Sequence, residues 1–583
     1  QNQVRQDDPR MSGVYAHFAK NLGDLLAAAH EAGVKAVVST MAANLKDCAP
    51  FASLHRPGLS AGDLGQWDQL YRQAVEAQRA GRWGEAVDHL RQAVGIDSTY
   101  AELHYLWGKC CLALGEDAEA LAQFSLALDQ DTLRFRADSR INTIIRQVTT
   151  DHEADGVRLV DAQEVLARAS PHRLVGNEYL HEHVHLRFEG NYLLARAFAE
   201  EAARLLPRLS TGAGAGASWP SAAECARRLA WTDWARCQGE SDVLRRLSDP
   251  PFTAQFDHAE RLAKQQRELE QLLPSSSPAG LQEAVVGCQE ALAAAPGDWV
   301  ARKELALAQG KAGDVGGAAK SWAQIVDLLP HYTEGWLELG RTLAEQHSGN
   351  QAVQALQHAL KLEPGSAFAL CALGQVLAAE GRSSEARRAY ERALRLKPYW
   401  SPAHVGLGRL LEAAGRPAEA ERHYREALKS RLYTPAALAA LGRLCFEKGW
   451  LNEAATNFMD VLRLDPSDIA THVNLGVTFQ QLGRQAQAQA QFVEALRLDP
   501  TLAEAHVRLG LALGRQGDDL EAMDHFAAAV RAKPDFLEAR LNLGVALLKQ
   551  RRDTEALEQF REALRQDPGN ATALRYVQRL STR

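Results

Sequence analysis

The C-terminal half of this sequence repeats every 34 residues without an insertion. Three residue types keep the period: alanine from Ala284 to Ala556, glycine from Gly340 to Gly544, and proline from Pro296 to Pro568, with Leu432 at one proline position. Such a period is typical of repeat proteins, in which each unit buries its apolar surface against the next. The 583 residues therefore consist largely of stacked repeats rather than of several unrelated compact domains.

Each period predicts a pair of α-helices. A glycine, followed twelve positions later by an alanine, marks the place where two helix backbones approach closely. Proline cannot continue a helix, so it ends the second helix of each unit. Pairs such as Gly381-Arg382 and Gly415-Arg416 supply the turn between the two helices.

The segment from Trp336 to Gly340 reads Trp-Leu-Glu-Leu-Gly. A W-x-x-L-G motif within a 34-residue helical pair resembles the tetratricopeptide repeat. The resemblance covers residues 299–570, which is eight gapless repeats. It implies an α-solenoid, a superhelix whose function is to bind other proteins.

The resemblance also implies an inner groove, lined by the first helix of each pair, that holds a peptide or a protein partner. The position after each glycine is expected to face this groove. These positions read Arg341, Gln375, Arg409, Arg443, Val477, Leu511 and Val545. A groove that is first cationic and then apolar suits an acidic or C-terminal segment that runs into apolar residues. The alternative is that the arginines are ordinary solvated charges on exposed helix faces.

Composition argues against several functional classes. The 66 Lys and Arg against 73 Asp and Glu give a net charge of −7, which is unlike a protein that coats nucleic acid or an anionic membrane. No run approaches the roughly 18–20 apolar residues of a membrane span. The eight cysteines are too few for a disulfide framework, so we expect buried thiols. The sequence has no phosphate loop or dinucleotide fingerprint, and we expect no cofactor.

The first two hundred residues have a different pattern. The segment from Gly13 to Gly33 predicts an amphipathic helix, and residues 36–40 and 157–161 predict two short buried strands. Between the strands, residues 67–131 show the 34-residue spacing again, at Gly81 and Gly115. We therefore predict an α/β domain, residues 1–66 and 132–208, with an inserted helical repeat pair at 67–131.

The residues that point most clearly to catalysis lie in the segment Tyr179-Leu-His-Glu-His-Val-His-Leu-Arg187. Glu182 and His185 are three residues apart, in a loop after a strand, where a carboxylate can orient an imidazole and stabilise its protonated form. This arrangement resembles the last block, D-x-x-H, of the SGNH (GDSL-like) esterases, whose domain is flavodoxin-like. It resembles most closely such domains fused to tetratricopeptide repeats in bacterial proteins. The resemblance implies that Glu182 is the acid and His185 the base of a catalytic triad.

The sequence departs from that family in its nucleophile. The family's serine block, its oxyanion glycine and its oxyanion asparagine precede the helix with which this sequence begins, and no Gly-Asp-Ser occurs in the chain. Loss of an oxyanion hole alone costs orders of magnitude in rate. Because the first residue is Gln1 and the first methionine is Met11, we expect a fragment that is inactive as it stands. An active ester hydrolase or acyltransferase, completed by an N-terminal segment, is the alternative function.

Two other interpretations of the histidine loop stay open. His181, His183 and His185 alternate, so on an extended segment they would share one face and could bind Zn²⁺. They could instead be loop histidines that cap the following helix, which begins near Glu189 and Gly190. Our prediction assigns no metal to the loop.

The sequence thus predicts a mainly α chain. Residues 209–221 form a flexible linker and residues 222–298 form irregular repeat-like helices, one from Ala222 to about Leu247. Eight repeats follow at 299–570, and a capping helix follows at 571–583. The predicted function is a protein-interaction scaffold attached to an incomplete SGNH-like domain.

Overall fold

The computed structural model describes residues 3–206, 219–429 and 434–581. Helices account for 74% of the structure. The 29 α-helices of the described residues are α1 (Pro9–Glu31), α2 (Ala61–Arg79), α3 (Trp83–Ile96), α4 (Ala101–Leu114), α5 (Asp117–Gln130), α6 (Ser139–Asp151), α7 (Ala162–Ala169), α8 (Phe188–Leu205), α9 (Ala222–Arg228), α10 (Asp233–Leu247), α11 (His258–Leu272), α12 (Pro278–Ala294), α13 (Trp299–Lys311), α14 (Val315–Leu328), α15 (Thr333–Glu345), α16 (Gly349–Leu362), α17 (Ala367–Ala379), α18 (Ser383–Leu396), α19 (Ser401–Ala413), α20 (Pro417–Ala427), α21 (Thr434–Glu447), α22 (Leu451–Leu464), α23 (Ile469–Gln481), α24 (Gln485–Leu498), α25 (Ala503–Gln516), α26 (Asp519–Ala532), α27 (Leu537–Lys549), α28 (Asp553–Gln566) and α29 (Ala571–Ser581).

The described ranges also contain two short strands and four short 3-10 helices, at Glu153–Asp155, Pro171–Arg173, Phe252–Ala254 and Leu273–Ser276. β1 (Ala36–Ser39) pairs in parallel with β2 (Val157–Val160), with Ala36 opposite Val157. The predicted strands are confirmed to within one residue at their ends. The mainly α fold and its α-solenoid architecture are confirmed as well. No helix in the described part of the chain is both long enough and apolar enough to cross a membrane.

The chain divides into two compact units, Gln1–Ser321 and Trp322–Arg583. In the second unit, each 34-residue period is a pair of antiparallel helices, as the sequence predicts. The glycine of the first helix faces a side chain of the second helix sixteen positions later. A Cβ placed on Gly374 would stand 2.6 Å from Tyr390, and one placed on Gly442 would stand 2.7 Å from Phe458. Only glycine lets these helices approach so closely.

In most repeats, the proline at the end of the repeat is held by a side chain of the next repeat. Its carbonyl oxygen lies within hydrogen-bond distance of a donor in the first turn of the following helix, six positions on. This contact gives a hydrogen-bond partner to a carbonyl group in the turn between two repeats. The pairs are Trp336 with Pro330, His404 with Pro398, His472 with Pro466, His506 with Pro500 and Arg540 with Pro534.

The turn between the two helices of a repeat requires a left-handed backbone. Glycine supplies it at Gly381, Gly415, Gly449, Gly483 and Gly517, all with φ between 71° and 97°. His347 and Arg551 hold the equivalent position, with φ of 58° and 59°. An L-residue with a side chain pays a steric penalty in this conformation.

The first unit combines the small sheet with helical pairs. Helices α2 to α5, between the two strands, form a core with Trp67, Leu90 and Tyr105 fully buried. Gly108 faces Phe124 in the same way as the glycines of the second unit face their aromatic partners. The inserted segment is therefore built as tetratricopeptide repeats are.

One predicted helix differs from the structure. The helix expected from Ala222 to about Leu247 is two helices, α9 and α10. Ala230 takes φ of 54° between them, and the Thr232 side chain accepts a hydrogen bond from the backbone N–H of Ala235, which starts the second helix. The flexible linker predicted at 209–221 lies mostly outside the described residues, as does Leu432.

Candidate functional site

The seven groove positions follow the glycines of the first helices and differ in exposure along the array. Arg341, Gln375, Arg409 and Arg443 are exposed, whereas Val477, Leu511 and Val545 are half-buried. Leu511 and Val545 pack against the apolar core at the C-terminal end. The cationic half of this surface is therefore open to solvent, and the apolar half is partly used in packing.

A cavity of about 580 Å³ opens among the first helices of three consecutive repeats, α17, α19 and α21. Gln375 and Arg409 line it, and so do the apolar side chains of Val405 and Leu410 and the ring of Tyr390. The structure thus brings two of the predicted groove residues to one cavity, where they supply polar groups beside an apolar lining.

A smaller cavity of about 190 Å³ lies one repeat further on. Arg443 and Val477 line it together with Phe446, Phe458 and Glu447. Arg409 and Arg443 both lie near Tyr424: burial and a hydrogen bond to Glu412 raise the pKa of this tyrosine, and the two arginine charges oppose that rise. The remaining arginine, Arg341, donates to Glu338 on its own helix at 2.9 Å instead.

The histidine loop of the first unit is built around one buried carboxylate. Glu182 is 1% exposed, and its Oε1 contacts Nδ1 of His185, while its Oε2 contacts Nδ1 of His183. The backbone N–H of Val184 also donates to Oε2, at 3.2 Å. The His185 side chain is 58% exposed, so its ring is oriented by the carboxylate and remains accessible from solvent.

The charge state of Glu182 follows from these contacts. Burial by itself would raise the pKa of the carboxyl group. The hydrogen bond to His183, the charges of His183 and His185 and the N–H of Val184 outweigh burial and lower the pKa to about 2. Glu182 is therefore a carboxylate at neutral pH, as the acid of an acid–base pair must be if it is to orient the imidazole.

Two helices outside the predicted α/β domain fasten the loop, and sequence reasoning did not identify their residues. Nδ1 of His181 lies 3.3 Å from Glu240 of α10. Arg187 donates to Glu268 of α11 at 2.6 Å. Burial would raise the pKa of Glu240, but its contacts with His181 and Arg187 lower it. The helices predicted as the first irregular repeats thus hold the histidine loop in place.

This geometry bears on the two alternative interpretations of the loop, a metal site formed by three histidines and a set of histidines that cap α8. The three histidines do not share one face, because His181 turns to Glu240 while His183 and His185 turn to Glu182. Among the described residues, the group whose atoms could hold a metal is Glu182, His183 and His185, with one ligand atom from each within 4.8 Å of the others. The histidines do not cap α8: its N-cap is Arg187, and no side chain in the described structure caps it.

Comparison with known proteins agrees with the repeats. Models of the tetratricopeptide repeat match residues 77–139, 367–400, 405–469, 503–536 and 525–571, and a TPR repeat model matches residues 479–517. The match at 77–139 falls on the inserted helices of the first unit. The sequence matches none of the curated proteins.

Several solved structures match parts or most of this chain at low sequence identity. The Cut9–Hcn1 hetero-tetramer of the APC/C is 15% identical over 88% of this chain and 96% of that chain, with a TM-score of 0.38. Pseudomonas aeruginosa pilF is 20% identical over 37% of this chain and 96% of that chain, with a TM-score of 0.34. YrrB, described as a TPR protein with an unusual peptide-binding site, is 19% identical over 32% of this chain and 96% of that chain, with a TM-score of 0.28.

The chain thus carries tetratricopeptide repeats in both units. Repeats of this kind bind peptides or protein partners, and they support a role as a protein–protein interaction scaffold.

Proposed function

We propose that the first-helix surface of residues 367–477 binds a peptide segment that carries acidic residues followed by apolar ones. The observation that carries this proposal is the position of Arg409, an exposed guanidinium on the wall of a cavity whose lining also includes Val405, Leu410 and Tyr390. An apolar side chain would fill the cavity, and a carboxylate would pair with the guanidinium. Charge-assisted hydrogen bonds of this kind are about twice as strong as neutral ones.

The order of the two cavities along the repeats supports the order of residue types in the proposed ligand, which is acidic first and then apolar. Arg409 and Arg443 lie at successive repeats, and Val477 follows on the next. A ligand that crosses these helices would meet two cationic positions before the apolar ones. Arg341 belongs to the same series, but its ion pair with Glu338 makes it the weakest contributor.

Two labelled hexapeptides test the proposal: Glu-Asp-Asp-Leu-Leu-Val and its uncharged counterpart Gln-Asn-Asn-Leu-Leu-Val. We expect the acidic peptide to bind more tightly, and R409A/R443A to weaken it by about tenfold, since two charge-assisted contacts contribute at least 1.4 kcal/mol. R341A alone should have a smaller effect. R497A, which removes an exposed arginine of the second helix of a repeat, is the matched control.

Salt dependence separates this proposal from simple apolar binding. Raising the ionic strength shortens the Debye length to about 3 Å at 1 M, so the preference for the acidic peptide should shrink in high salt. Equal affinity for the two peptides, or unchanged affinity in R409A/R443A, would remove the cationic groove from the proposal.

A second candidate function rests on the contact between Glu182 and His185. A buried carboxylate that orients an exposed imidazole is the acid–base half of an ester-hydrolase triad, and it supports an SGNH-like domain for residues 1–66 and 132–208. The proposal requires a serine nucleophile, and Gly-Asp-Ser is absent from Gln1–Arg583. In this candidate the repeats recruit the substrate or a partner.

Hydrolysis of p-nitrophenyl acetate by the natural full-length protein tests the second candidate. We expect H185A to abolish the activity and E182Q to lower kcat, because the imidazole loses its orienting carboxylate. H172A removes another exposed histidine that is paired with a carboxylate, Asp117, and serves as the control for nonspecific imidazole reactivity. Activity that survives H185A would exclude His185 as the base.

A further inference from the structure

Two buried tyrosines hold the same position in successive repeats of the second unit, but their hydroxyl groups differ in hydrogen bonding. Tyr424 donates to Glu412 at 2.6 Å. Tyr390, 34 residues earlier, is 2% exposed, and within the described part of the chain its hydroxyl has no hydrogen-bond partner. Ala378 stands one period before Glu412, so the repeat of Tyr390 lacks the acceptor that the next repeat contains.

Packing by itself does not require a hydroxyl group at this position. Tyr390 lies against Gly374 of its own repeat. Phenylalanine rings make the same contact with their glycines in the four repeats that follow Tyr424, at Phe458, Phe492, Phe526 and Phe560. A polar group that is largely removed from water without a partner costs stability and calls for an explanation. The hydroxyl of Tyr390 is therefore a candidate binding group.

The hydroxyl end of Tyr390 lies at the cavity of about 580 Å³ described above. A Cβ built on Gly406 would overlap Cζ of Tyr390, which is the carbon that carries the hydroxyl. Gly406 and Tyr390 both line the cavity, and so does Ala378. The place that a glutamate fills in the next repeat is thus open space here, beside the tyrosine hydroxyl.

Arg409 brings a positive charge to the same cavity. It follows Gly406 by three positions on α19, so the two residues share one face of the helix. Burial raises the pKa of Tyr390, and the charge of Arg409 opposes that rise, so the guanidinium lies within electrostatic reach of the hydroxyl. The nearby carboxylate of Glu412 is bound by Tyr424. A hydroxyl and a guanidinium that face one space are donors suited to a carboxylate.

We infer that Tyr390 determines specificity in the peptide site: its hydroxyl, together with Arg409, binds the carboxylate of an acidic side chain of the ligand. This carboxylate takes the place that the carboxylate of Glu412 holds in the next repeat. The methylene groups of the same side chain lie along Val405 and Leu410 of the cavity wall. The inference rests on the proposed peptide binding and adds one residue and one hydrogen bond to it.

Y390F tests the inference because it removes only the hydroxyl. The probes are the peptides Glu-Asp-Asp-Leu-Leu-Val and Gln-Asn-Asn-Leu-Leu-Val, acetylated at the N-terminus and amidated at the C-terminus, so that every carboxylate belongs to a side chain. Y390F should weaken the acidic peptide by at least about fivefold, since hydrogen bonds to charged groups are the stronger ones. The affinity for the neutral peptide should not change. Y399F, at a tyrosine that is 61% exposed, is the matched control and should bind both peptides as the wild type does.

A378E gives a second readout. It places a carboxylate at the position that Glu412 holds in the next repeat, where it should bind the hydroxyl of Tyr390 in place of the ligand. We expect A378E to weaken the acidic peptide to a similar extent. The melting temperature of Y390F should equal that of the wild type, because Phe458 shows that phenylalanine packs at this position.

The outcomes separate this inference from the proposed peptide binding. If R409A/R443A weakens the acidic peptide while Y390F and A378E bind it as tightly as the wild type does, the inference is wrong and the proposed function stands. A Y390F that weakens both peptides equally also overturns the inference, because the hydroxyl would then act without a carboxylate. If the wild type binds the two peptides equally, the proposed function itself fails.

Discussion

The ring of Tyr424 lies directly against the backbone of Gly408: a Cβ built on this glycine would overlap Cε1 of the tyrosine. Tyr424 is completely buried and its hydroxyl donates to Glu412 at 2.6 Å, so the ring is held in place. We expect G408A to lower the free energy of unfolding by about 1–3 kcal/mol through overpacking. Urea unfolding measures this change.

A matched control for G408A is available in the same unit. Gly514 is also helical, but a Cβ there meets only Ala522, at an ordinary 3.7 Å. G514A should therefore keep or raise stability, by up to about 1 kcal/mol from helix propensity. Equal effects of the two substitutions would show that the contact with Tyr424 does not determine the helix spacing.

Replacing His347 or Arg551, which hold left-handed turn positions, by glycine should stabilise the protein. Both residues hold φ near 58° where six other repeats, including the one that contains Gly313, have glycine. Replacement by glycine removes a steric cost of about 1–2 kcal/mol per residue, and the greater freedom of glycine in the unfolded chain offsets part of it. H347G and R551G should each raise the unfolding midpoint, while H347A, which keeps the Cβ, should not.

Two histidine pairs predict a pH dependence of stability. Nδ1 of His404 lies 3.0 Å from Nδ1 of His423, and the same atoms of His506 and His525 are 2.9 Å apart. Since Nε2 of His404 donates to the carbonyl of Pro398, its Nδ1 is the acceptor in the neutral pair. Burial and the partner's charge lower the pKa of His423 and of His525.

Because these histidine pKa values are lowered, the folded protein loses stability as pH falls. A histidine whose folded pKa lies below its usual 6.5 binds its proton more weakly in the folded protein, so the stability present above pH 6.5 is lost as pH falls toward the folded pKa. Gln491 holds the equivalent position opposite His472, at 2.8 Å, which makes glutamine a natural replacement. The melting temperature of H423Q/H525Q should fall less than that of the wild type between pH 7.5 and 5.5. An identical pH profile would contradict this assignment.

Glu182 also predicts a loss of stability in acid, in the first unit and at lower pH than the histidine pairs. Its folded pKa of about 2 lies below the usual 4.5, so the ionised carboxylate stabilises the fold above pH 4.5, and this stabilisation is lost as pH falls toward 2. E182Q should therefore be less stable than the wild type at pH 7, and the difference should shrink in acid. E189Q, at an exposed position of α8, should match the wild type throughout.

Periodic features of this molecule could be predicted from the sequence, and long-range contacts could not. The 34-residue spacing of Gly374 and Gly408 predicts helix pairs because the same packing constraint recurs in each repeat. The spacing of three residues between Glu182 and His185 predicts their contact for the same local reason. His404 and His506, three periods apart, could have been found by aligning the repeats.

The contacts that hold the histidine loop lacked any such signal. His181 meets Glu240 and Arg187 meets Glu268 from helices that follow in the chain by more than fifty residues. No spacing rule relates a loop to a helix at that distance. The break at Ala230 was also missed, because alanine ordinarily favours a continuous helix.

The pairing of β1 with β2 sets the order in which the first unit can fold. The side chain of Thr40 donates to Asp161 at 2.9 Å, and the two residues are 121 positions apart. Closing a loop of that length loses chain entropy before the contacts between the strands can offset the loss. The helix pairs inside the loop form from residues that are close in sequence. We therefore expect the inserted repeats to form first and to shorten the effective loop, and the sheet to assemble after them.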